Sequence, residues 1–363
     1  MLQLSFIRQH TNEVKNRLSI KNFEPLSLVD EVVALDESRR QLQASFDALQ
    51  AQIKNISKQI GIAVANKNET EANHLKTEVA LLKEKIEPLK EQLQQAEINL
   101  HEACVKLPNL PSPLVPHGKT ASDNEIIKEA KPEMALRDNA LPHWDLITKF
   151  NLIDFETGAK ITGSGFPLYK AQGARLQRAL VQYFLDFNIH AGYEEYATPF
   201  LVNEASAFGT GQLPDKEGQM YFISEDNFYL IPTAEVPLTN IYRDVILKET
   251  DLPLKMTAHT PCFRREAGSF GKDVRGLNRV HQFEKVELVQ IVHPEKSYEV
   301  LNEMVVHVEK LLQSLQLPYR IVRLCGGDLS FASALTYDFE VFSAAQNRWL
   351  EVSSVSNFET FQT

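Results

Sequence analysis

The stretch that decides the fold of the C-terminal part is Phe263-Arg264-Arg265-Glu266, followed by Leu277-Asn278-Arg279-Val280-His281-Gln282-Phe283-Glu284-Lys285-Val286-Glu287. A polar, glycine-containing segment joins the two halves. Both halves lie in runs that favour β-strands, so they predict a long β-hairpin. Four residues on or beside the strands of this hairpin have charged or aromatic side chains that could bind a ligand: Arg264, Arg279, Phe283 and Glu287.

These residue types suit nucleotide binding. A guanidinium on a rigid strand matches two phosphate oxygens, and a phenylalanine ring offers a face to a nucleobase. The same residues also fit a surface salt-bridge network around a core phenylalanine, and the hairpin alone does not decide between the two. The chain contains no GxGxxG, GxxxxGK[ST], HExxH or GxSxG pattern. ATP use would therefore involve neither a P-loop nor a Rossmann turn.

Around the hairpin, helix-like stretches alternate with β-branched and aromatic runs from about residue 120 onward. Several of the runs follow one another through short turns, which favours a largely antiparallel sheet with helices packed on it. The predicted helices cover 141–150, 173–187 and 294–315. The predicted strands cover 220–223, 228–231, 280–292, 319–324, 336–342 and 348–353.

The first third of the chain has a different periodicity. Apolar residues recur at alternating spacings of four and three from Leu42 to Ala63, and again from Leu75 to Leu107. This is the seam of a coiled coil, and the short polar break at 66–70 predicts an antiparallel helical hairpin. Pro88 is expected to bend the second helix. The fold class is therefore α+β, with a long coiled-coil hairpin before the sheet.

A proline-rich stretch separates these two textures. Prolines at 108, 111, 113 and 116 cannot continue a helix, so they predict a semi-rigid linker. We expect residues 1–107 to form the helical hairpin and residues 108–120 the linker. Residues 121–363 are then expected to form the second domain.

Composition narrows the class of protein. The 363 residues carry a net charge of −10, so any contact with nucleic acid must be local. Arg39, Arg40, Lys54 and Lys58 on the first long helix permit phosphate contacts, although such charges also occur on solvated faces. The three cysteines are far apart, and we expect neither disulfides nor a structural zinc site. The absence of a long apolar run or a signal-like N-terminus predicts a cytoplasmic protein without a membrane span.

Taken in order, the motifs resemble those of the class II aminoacyl-tRNA synthetases, and specifically the seryl-tRNA synthetase family. The stretch 192–201 looks like motif 1, and 263–287 looks like motif 2. The segments 198–203, 209–214, 232–237 and 351–356 are similar to the seryl members. The resemblance covers the whole chain and implies a class II antiparallel sheet after a tRNA-binding arm.

The resemblance also implies roles for individual residues. Arg264, Arg279 and Glu351 are the implied catalytic residues, and Thr233, Ala234, Glu235, Arg264 and Glu287 the implied serine pocket. The implied ATP site consists of Arg264, Arg265, Glu266, Val280, Phe283, Glu351, Val352, Ser353 and Ser354. Glu351 and Ser354 would hold Mg²⁺.

The implied reaction is the ATP-dependent activation of L-serine and its transfer to tRNA(Ser), and also to tRNA(Sec). The implied partners are the tRNA, held by the coiled-coil arm, and a second copy of the chain, held through Pro199. In the family the chain continues to a third motif with a phosphate-binding arginine, so residues 121–363 are expected to be an incomplete catalytic domain. Two alternatives stay open. One is a non-catalytic tRNA-binding paralogue, and the other is a ligase that charges a carrier protein from the same adenylation site.

Overall fold

Two long helices dominate the N-terminal unit, Met1–Leu110. Its helices are α1 (Leu4–Gln9), α2 (Thr11–Ile20), α3 (Ser27–Ala65) and α4 (Glu69–Cys104). The computed structural model describes residues 1–130, 139–215, 218–266 and 275–362. α3 and α4 pack along one another as an antiparallel hairpin, which confirms the prediction from the 4–3 spacing.

The turn between α3 and α4 is short and locally capped. Lys67 adopts a left-handed conformation with φ 57°. The Asn68 side chain accepts a hydrogen bond from the Glu71 N–H at 3.2 Å, which satisfies one of the unpaired donors at the start of α4. α4 continues through Pro88 to Cys104.

The core of this unit lies where α1 and α2 pack on the ends of the hairpin. Its buried apolar residues are Ile7, Val14, Leu18, Leu28, Val29, Val32, Leu100, Ala103, Cys104, Leu107 and Leu110. Towards the turn the hairpin buries much less, and Ile62 and Val64 are exposed. The end of the hairpin opposite the turn therefore contributes most of the stability of this unit.

In the second unit, Pro111–Thr363, the described residues form four sheets. Its helices are α5 (His143–Phe150), α6 (Phe155–Ile161), α7 (Gln172–His190), α8 (Glu204–Gly209), α9 (Glu235–Asn240) and α10 (Ser297–Ser314). The strands are β1 (Glu125–Ala130), β2 (Ile153–Asp154), β3 (Leu168–Tyr169), β4 (Glu194–Glu195), β5 (Leu201–Asn203), β6 (Tyr221–Ile223), β7 (Phe228–Leu230), β8 (Leu254–Phe263), β9 (Gln282–Ile291), β10 (Tyr319–Arg323), β11 (Leu335–Ser343) and β12 (Arg348–Asn357).

Nearly every strand pair is antiparallel. The largest sheet has the order β1-β10-β11-β12, and β4 adds a parallel edge to the β8–β9 pair. The strands β5, β7 and β6 form a third sheet, and β2 pairs with β3. The expected antiparallel sheet with flanking helices is therefore confirmed. No helix within the described ranges has both the length and the apolar character that a membrane crossing requires.

The β8–β9 ladder is regular over its whole length. Ten residue pairs run from Leu254 opposite Ile291 to Phe263 opposite Gln282. The predicted hairpin is confirmed, although β9 begins two residues later than expected. Part of the segment between the strands, 267–274, lies outside the described residues.

The β11–β12 ladder is irregular at one point. Glu340 pairs with Glu351 and Phe339 with Ser353, so Val352 has no opposite residue. This is a β-bulge, in which one strand carries an extra residue. β12 also runs four residues further than predicted, because its Ser- and Asn-rich end pairs with β11 despite low strand propensity.

Candidate active site

The β8–β9 hairpin positions Arg264 at its open end. The Arg264 N–H donates to the His281 carbonyl at 3.0 Å, which extends the ladder beyond β8. Its Nε donates to the Pro232 carbonyl at 3.4 Å, and the guanidinium carbon lies 5.1 Å from the centre of the Phe283 ring. Backbone bonds and a cation–π contact therefore hold the guanidinium beside the ring.

Glu287 lies further along β9 and receives two donors on one oxygen. The Thr233 hydroxyl and the Lys285 ammonium both reach its Oε2, the latter at 2.6 Å. Lys285 also donates to the Thr233 Oγ at 2.9 Å. Lys285 and Glu287 share a face because strand side chains alternate with period two. The three side chains form a closed triangle of polar contacts.

Glu235, the first residue of α9, lies next to this triangle. Its Oε1 accepts a hydrogen bond from Gln362 Nε2 at 2.8 Å. Burial raises the pKa of Glu235, and the nearby negative charge of Glu287 raises it further. Two carboxylates thus face one pocket, where they offer a complement to an ammonium group.

A second charged pair joins the two ends of the segment between β8 and β9. Arg279 Nη1 lies 3.2 Å from Glu266 Oε2, with 56% of the Arg279 side chain exposed against 13% for Glu266. Glu266 has φ 47°, a conformation in which a non-glycine residue is strained. The Arg265 N–H donates to the Gln219 carbonyl at 2.9 Å, and Val280 is buried.

The bulge at Val352 brings Glu351 and Ser354 to one face of β12. Residues three apart on a regular strand face opposite sides. Here they pair with Glu340 and Asp338, which are two apart on β11 and share a face. Glu351 is exposed at the surface. Even so, partial desolvation by the surrounding protein raises its pKa, although the positive charges of Arg264 and Arg279 act to lower it. Burial, and then the charge of Glu351, raises the pKa of Asp338 to about 7.

The donors on this face can be compared with what Mg²⁺ requires. The described residues hold no group of three or more His, Cys, Asp or Glu side chains that could bind a metal ion. Mg²⁺ in phosphoryl-transfer sites is commonly bound by one or two protein oxygens, with substrate phosphates and water completing its octahedron. One carboxylate and one hydroxyl on the same face meet that requirement.

Most of the residues expected from the sequence border one open groove. It is lined by Thr233, Glu235, Arg264, Glu266, Arg279, Glu287, Val352, Ser353 and Ser354, among others. The Phe283 ring contacts Arg264, one of the residues that line the groove. A cationic, aromatic and carboxylate-bearing groove of this kind can bind a nucleotide beside an amino acid.

Two residues of this site were not predicted from the sequence. Lys285 and Gln362 line the same groove and hydrogen-bond to Thr233 and Glu235. The strand spacing between Lys285 and Glu287 was a usable signal for the first. Gln362 has no such signal, because it lies 127 positions from its partner.

The four basic residues expected to contact nucleic acid divide into two groups. Arg39 Nη2 donates to the buried Asp36 at 3.0 Å, and Arg40 lies 3.5 Å from Glu37. Lys54 and Lys58 are exposed on α3. The two lysines therefore offer their charge to solvent, whereas the arginines already face carboxylates of their own helix.

Pro199 lies two residues before the start of β5, in a stretch with exposed apolar neighbours. Phe200 and Leu201 are 45% and 40% exposed. Large exposed apolar side chains close together are typical of surfaces that another protein covers.

Comparison with known proteins assigns the class. Residues 221–363, which include much of the groove, match the family described as tRNA synthetase class II core domain (G, H, P, S and T). The chain therefore carries a class II aminoacyl-tRNA synthetase core. Residues 1–111 match the seryl-tRNA synthetase N-terminal domain.

Whole-chain relatives define the family more closely. A serine–tRNA ligase of Salinibacter ruber is 48% identical over 362 residues, covering 100% of this chain and 85% of the relative. The crystal structure of seryl-tRNA synthetase from Pyrococcus horikoshii complexed with ATP matches with a TM-score of 0.90 and 31% identity, with the same coverage. The crystal structure of cytoplasmic serine–tRNA ligase from Naegleria fowleri in complex with AMP matches with a TM-score of 0.85 and 26% identity. The match covers 100% of this chain and 86% of that chain. The chain belongs to the seryl-tRNA synthetase family.

Proposed function

We propose that this chain activates L-serine with ATP and transfers the seryl group to tRNA(Ser). The observation that carries the proposal is the groove, which is lined by Arg264, Glu235 and Glu287 and has the Phe283 ring against Arg264. The relatives named serine–tRNA ligase and the ATP and AMP complexes of similar structures support the same reaction.

The first step needs positioning more than a protein nucleophile. The serine carboxylate attacks the α-phosphorus of ATP, the bond to the bridging oxygen breaks, and pyrophosphate leaves with its electron pair. In this proposal Arg264 binds the α-phosphate and the serine carboxylate, and Phe283 stacks on the adenine. Glu266 contacts the adenine side, and Arg279 binds the distal phosphates. Holding the reactants in line and neutralising charge are the main sources of rate for such a transfer.

The remaining residues complete the two substrate pockets. Arg265, Val280, Val352 and Ser353 are proposed to border the nucleotide. Thr233, Ala234, Glu235 and Glu287 are proposed to surround the serine, with Glu287 accepting its hydroxyl. A carboxylate left unpaired by alanine would supply discrimination of about 10⁴ or more. Glu351 and Ser354 would hold Mg²⁺, which neutralises phosphate charge when bound.

The second step moves the seryl group from the adenylate to a hydroxyl of the terminal adenosine of the tRNA, and AMP leaves. We propose that residues 1–107 are the arm that binds the tRNA and residues 108–120 the linker. Residues 121–363 are then the catalytic part. The exposed Lys54 and Lys58 support a local phosphate contact.

Two further proposals concern the protein as a whole. The exposed apolar side chains beside Pro199 support a homodimer formed through this region. A synthetase that charges tRNA for translation is expected in the cytoplasm. The non-catalytic paralogue and the carrier-protein ligase are not favoured, since the relatives at full coverage of this chain are named serine–tRNA ligases.

Amino-acid-dependent exchange between ATP and pyrophosphate tests the proposal. We expect exchange with serine and little with threonine, alanine or glycine, measured on the protein as the cell produces it. Serine-dependent exchange without transfer to tRNA(Ser) would favour the carrier-protein alternative. The absence of exchange with every amino acid would contradict the proposed activation step and favour the non-catalytic alternative.

A further inference from the structure

Lys285 is the one cation in contact with the Glu287 carboxylate among the residues that the structure describes. Its Nζ lies 2.6 Å from Glu287 Oε2 and 2.9 Å from the Thr233 Oγ. The Lys285 side chain keeps 35% of its surface, whereas Glu287 keeps 14%. The ammonium therefore reaches in from the groove towards a largely buried carboxylate.

The Thr233 hydroxyl is fully used within this cluster. It donates its single proton to Glu287 Oε2. It accepts from Lys285 and, at 3.3 Å, from the Glu235 N–H. A hydroxyl has one proton and two lone pairs, so no hydrogen-bonding capacity is left for a substrate. Thr233 and Lys285 act together on one oxygen of Glu287.

The opposite oxygen of Glu287 is in a different situation. All bonds from described residues to this carboxylate end on Oε2. Glu287 lines the groove, so Oε1 is the acceptor that remains for a ligand there. Fixing one oxygen of a carboxylate also fixes the direction of the other, because the group is planar.

We propose that Lys285 is a positioning residue for serine selection, which holds Glu287 by Oε2 and so presents Oε1 to the substrate hydroxyl. The inference rests on the proposed function and deepens it, and it assigns Lys285 a contact with Glu287 and none with the reacting atoms. A fixed acceptor favours serine over alanine more strongly than a mobile one does, because pre-organisation removes the cost of ordering it in the complex.

Charge supports this role. Burial lowers the pKa of Lys285, but Glu287 and then Glu235 outweigh it, and the net pKa lies above its ordinary value. The side chain is therefore an ammonium with three donors, of which two contacts are accounted for in the cluster. Arginine would keep the charge and reach the same oxygen with a planar fork, and glutamine would remove the charge.

Steady-state exchange kinetics of Lys285→Gln test the proposal. We expect KM for serine to rise about 10- to 100-fold with KM for ATP nearly unchanged, and the preference for serine over alanine to fall. Lys285→Arg should restore part of the loss. The matched control is Lys255→Gln on the neighbouring strand β8, whose ammonium lies over the Tyr193 ring, 5.7 Å from its centre. Equal losses for serine and ATP, or an unchanged KM for serine in folded protein, would overturn the proposal.

A double-mutant cycle with Glu287→Gln keeps the test valid if the single variant is unstable. Lys285→Gln combined with Glu287→Gln leaves no unpaired charge at this contact. Because Lys285 acts through Glu287, the double variant should lose no more serine selectivity than Glu287→Gln alone. Additive losses would overturn the role of Lys285. They would leave the proposed function intact, which fails only if the unmodified protein shows no serine-dependent exchange.

Discussion

The guanidinium of Arg264 lies against the ring of Phe283, with 5.1 Å between the guanidinium carbon and the ring centre. The ring belongs to β9, and Arg264 follows the last residue of β8. The residue proposed to bind the α-phosphate thus lies over the residue proposed to stack on adenine. If a base stacks on Phe283, the guanidinium and the base must both contact that ring, either on the same face or on opposite faces.

Replacing Arg264 tests its role directly. Arg264→Ala should lower serine-dependent ATP–pyrophosphate exchange by about 100-fold or more, because it removes a fixed charge from the transferring phosphoryl group. Arg264→Lys should be intermediate, since a lysine keeps the charge without the two-pronged geometry. Arg243→Ala serves as a control, since Arg243 bonds to Ser206 and Asn240. Exchange near the normal rate in Arg264→Ala would contradict the assignment.

Glu351 provides a test that depends on metal concentration. Glu351→Gln should raise the Mg²⁺ concentration needed for half-maximal exchange by about tenfold, because a neutral amide is a weaker ligand for a hard cation. The magnesium dependence of exchange measures this at saturating serine and ATP. Glu299→Gln, an exposed position on α10, is the matched control. Identical magnesium curves for the Glu351 variant and the unmodified protein would exclude Glu351 as a ligand.

The arm prediction concerns binding, with no change in activation. Lys54→Glu together with Lys58→Glu should weaken tRNA affinity and reduce the slope of log K against log salt by about one unit for each phosphate that is no longer neutralised. Serine-dependent exchange should stay unchanged in the same variant, which controls for misfolding. A salt slope equal to that of the unmodified protein would leave these lysines as a solvated surface.

Asp36 is a test of stability in the N-terminal unit. It is 2% exposed and bonded to Arg8 and Arg39. Burial raises the pKa of Asp36, but the two arginines outweigh it and the net pKa lies below its ordinary value. A folded pKa below the unfolded one stabilises the protein above the unfolded value, and this contribution is lost as pH falls through the folded value.

We therefore expect Asp36→Asn to reduce the free energy of unfolding by about 1–3 kcal/mol near neutral pH, since it removes the charged acceptor of two hydrogen bonds from partly exposed arginines. The difference from the unmodified protein should shrink below about pH 4. Denaturant unfolding followed by circular dichroism measures both. Asp47→Asn, exposed on the same helix, should change little. A difference that grows on acidification would contradict the expected sign.

Periodicity and strand propensity carried most of what could be predicted. The 4–3 seam identified α3 and α4, because burial of one face of a helix leaves a repeating trace in the sequence. The β-favouring runs around Arg264 and Glu287 identified the β8–β9 hairpin through their residue types. α1 and α2 are too short to leave that trace clearly, and they were not predicted. The start of α3 at Ser27, fifteen positions before the first seam residue, was missed because Arg39 interrupts the apolar repeat just before Leu42.

Interactions between distant residues left no comparable trace. Gln362 reaches Glu235 only because the chain folds back to α9. The pairing of Arg39 was different: Asp36 lies three residues before it, a spacing that places both on one face of a helix. That local signal was available, and it indicates that the main role of Arg39 is to pair with Asp36 within α3.

The bulge at Val352 shows how one residue without a partner can define a site. β12 sets ten residues against the nine of β11, and only this surplus turns Glu351 and Ser354 to the same side. A search for paired ligands on strands looks for spacings of two and passes over a spacing of three. A designed sheet that uses this strand pair must therefore keep the extra residue of the bulge. Deleting Val352 would preserve the hydrogen-bonded ladder but turn either Glu351 or Ser354 to the opposite face of the sheet.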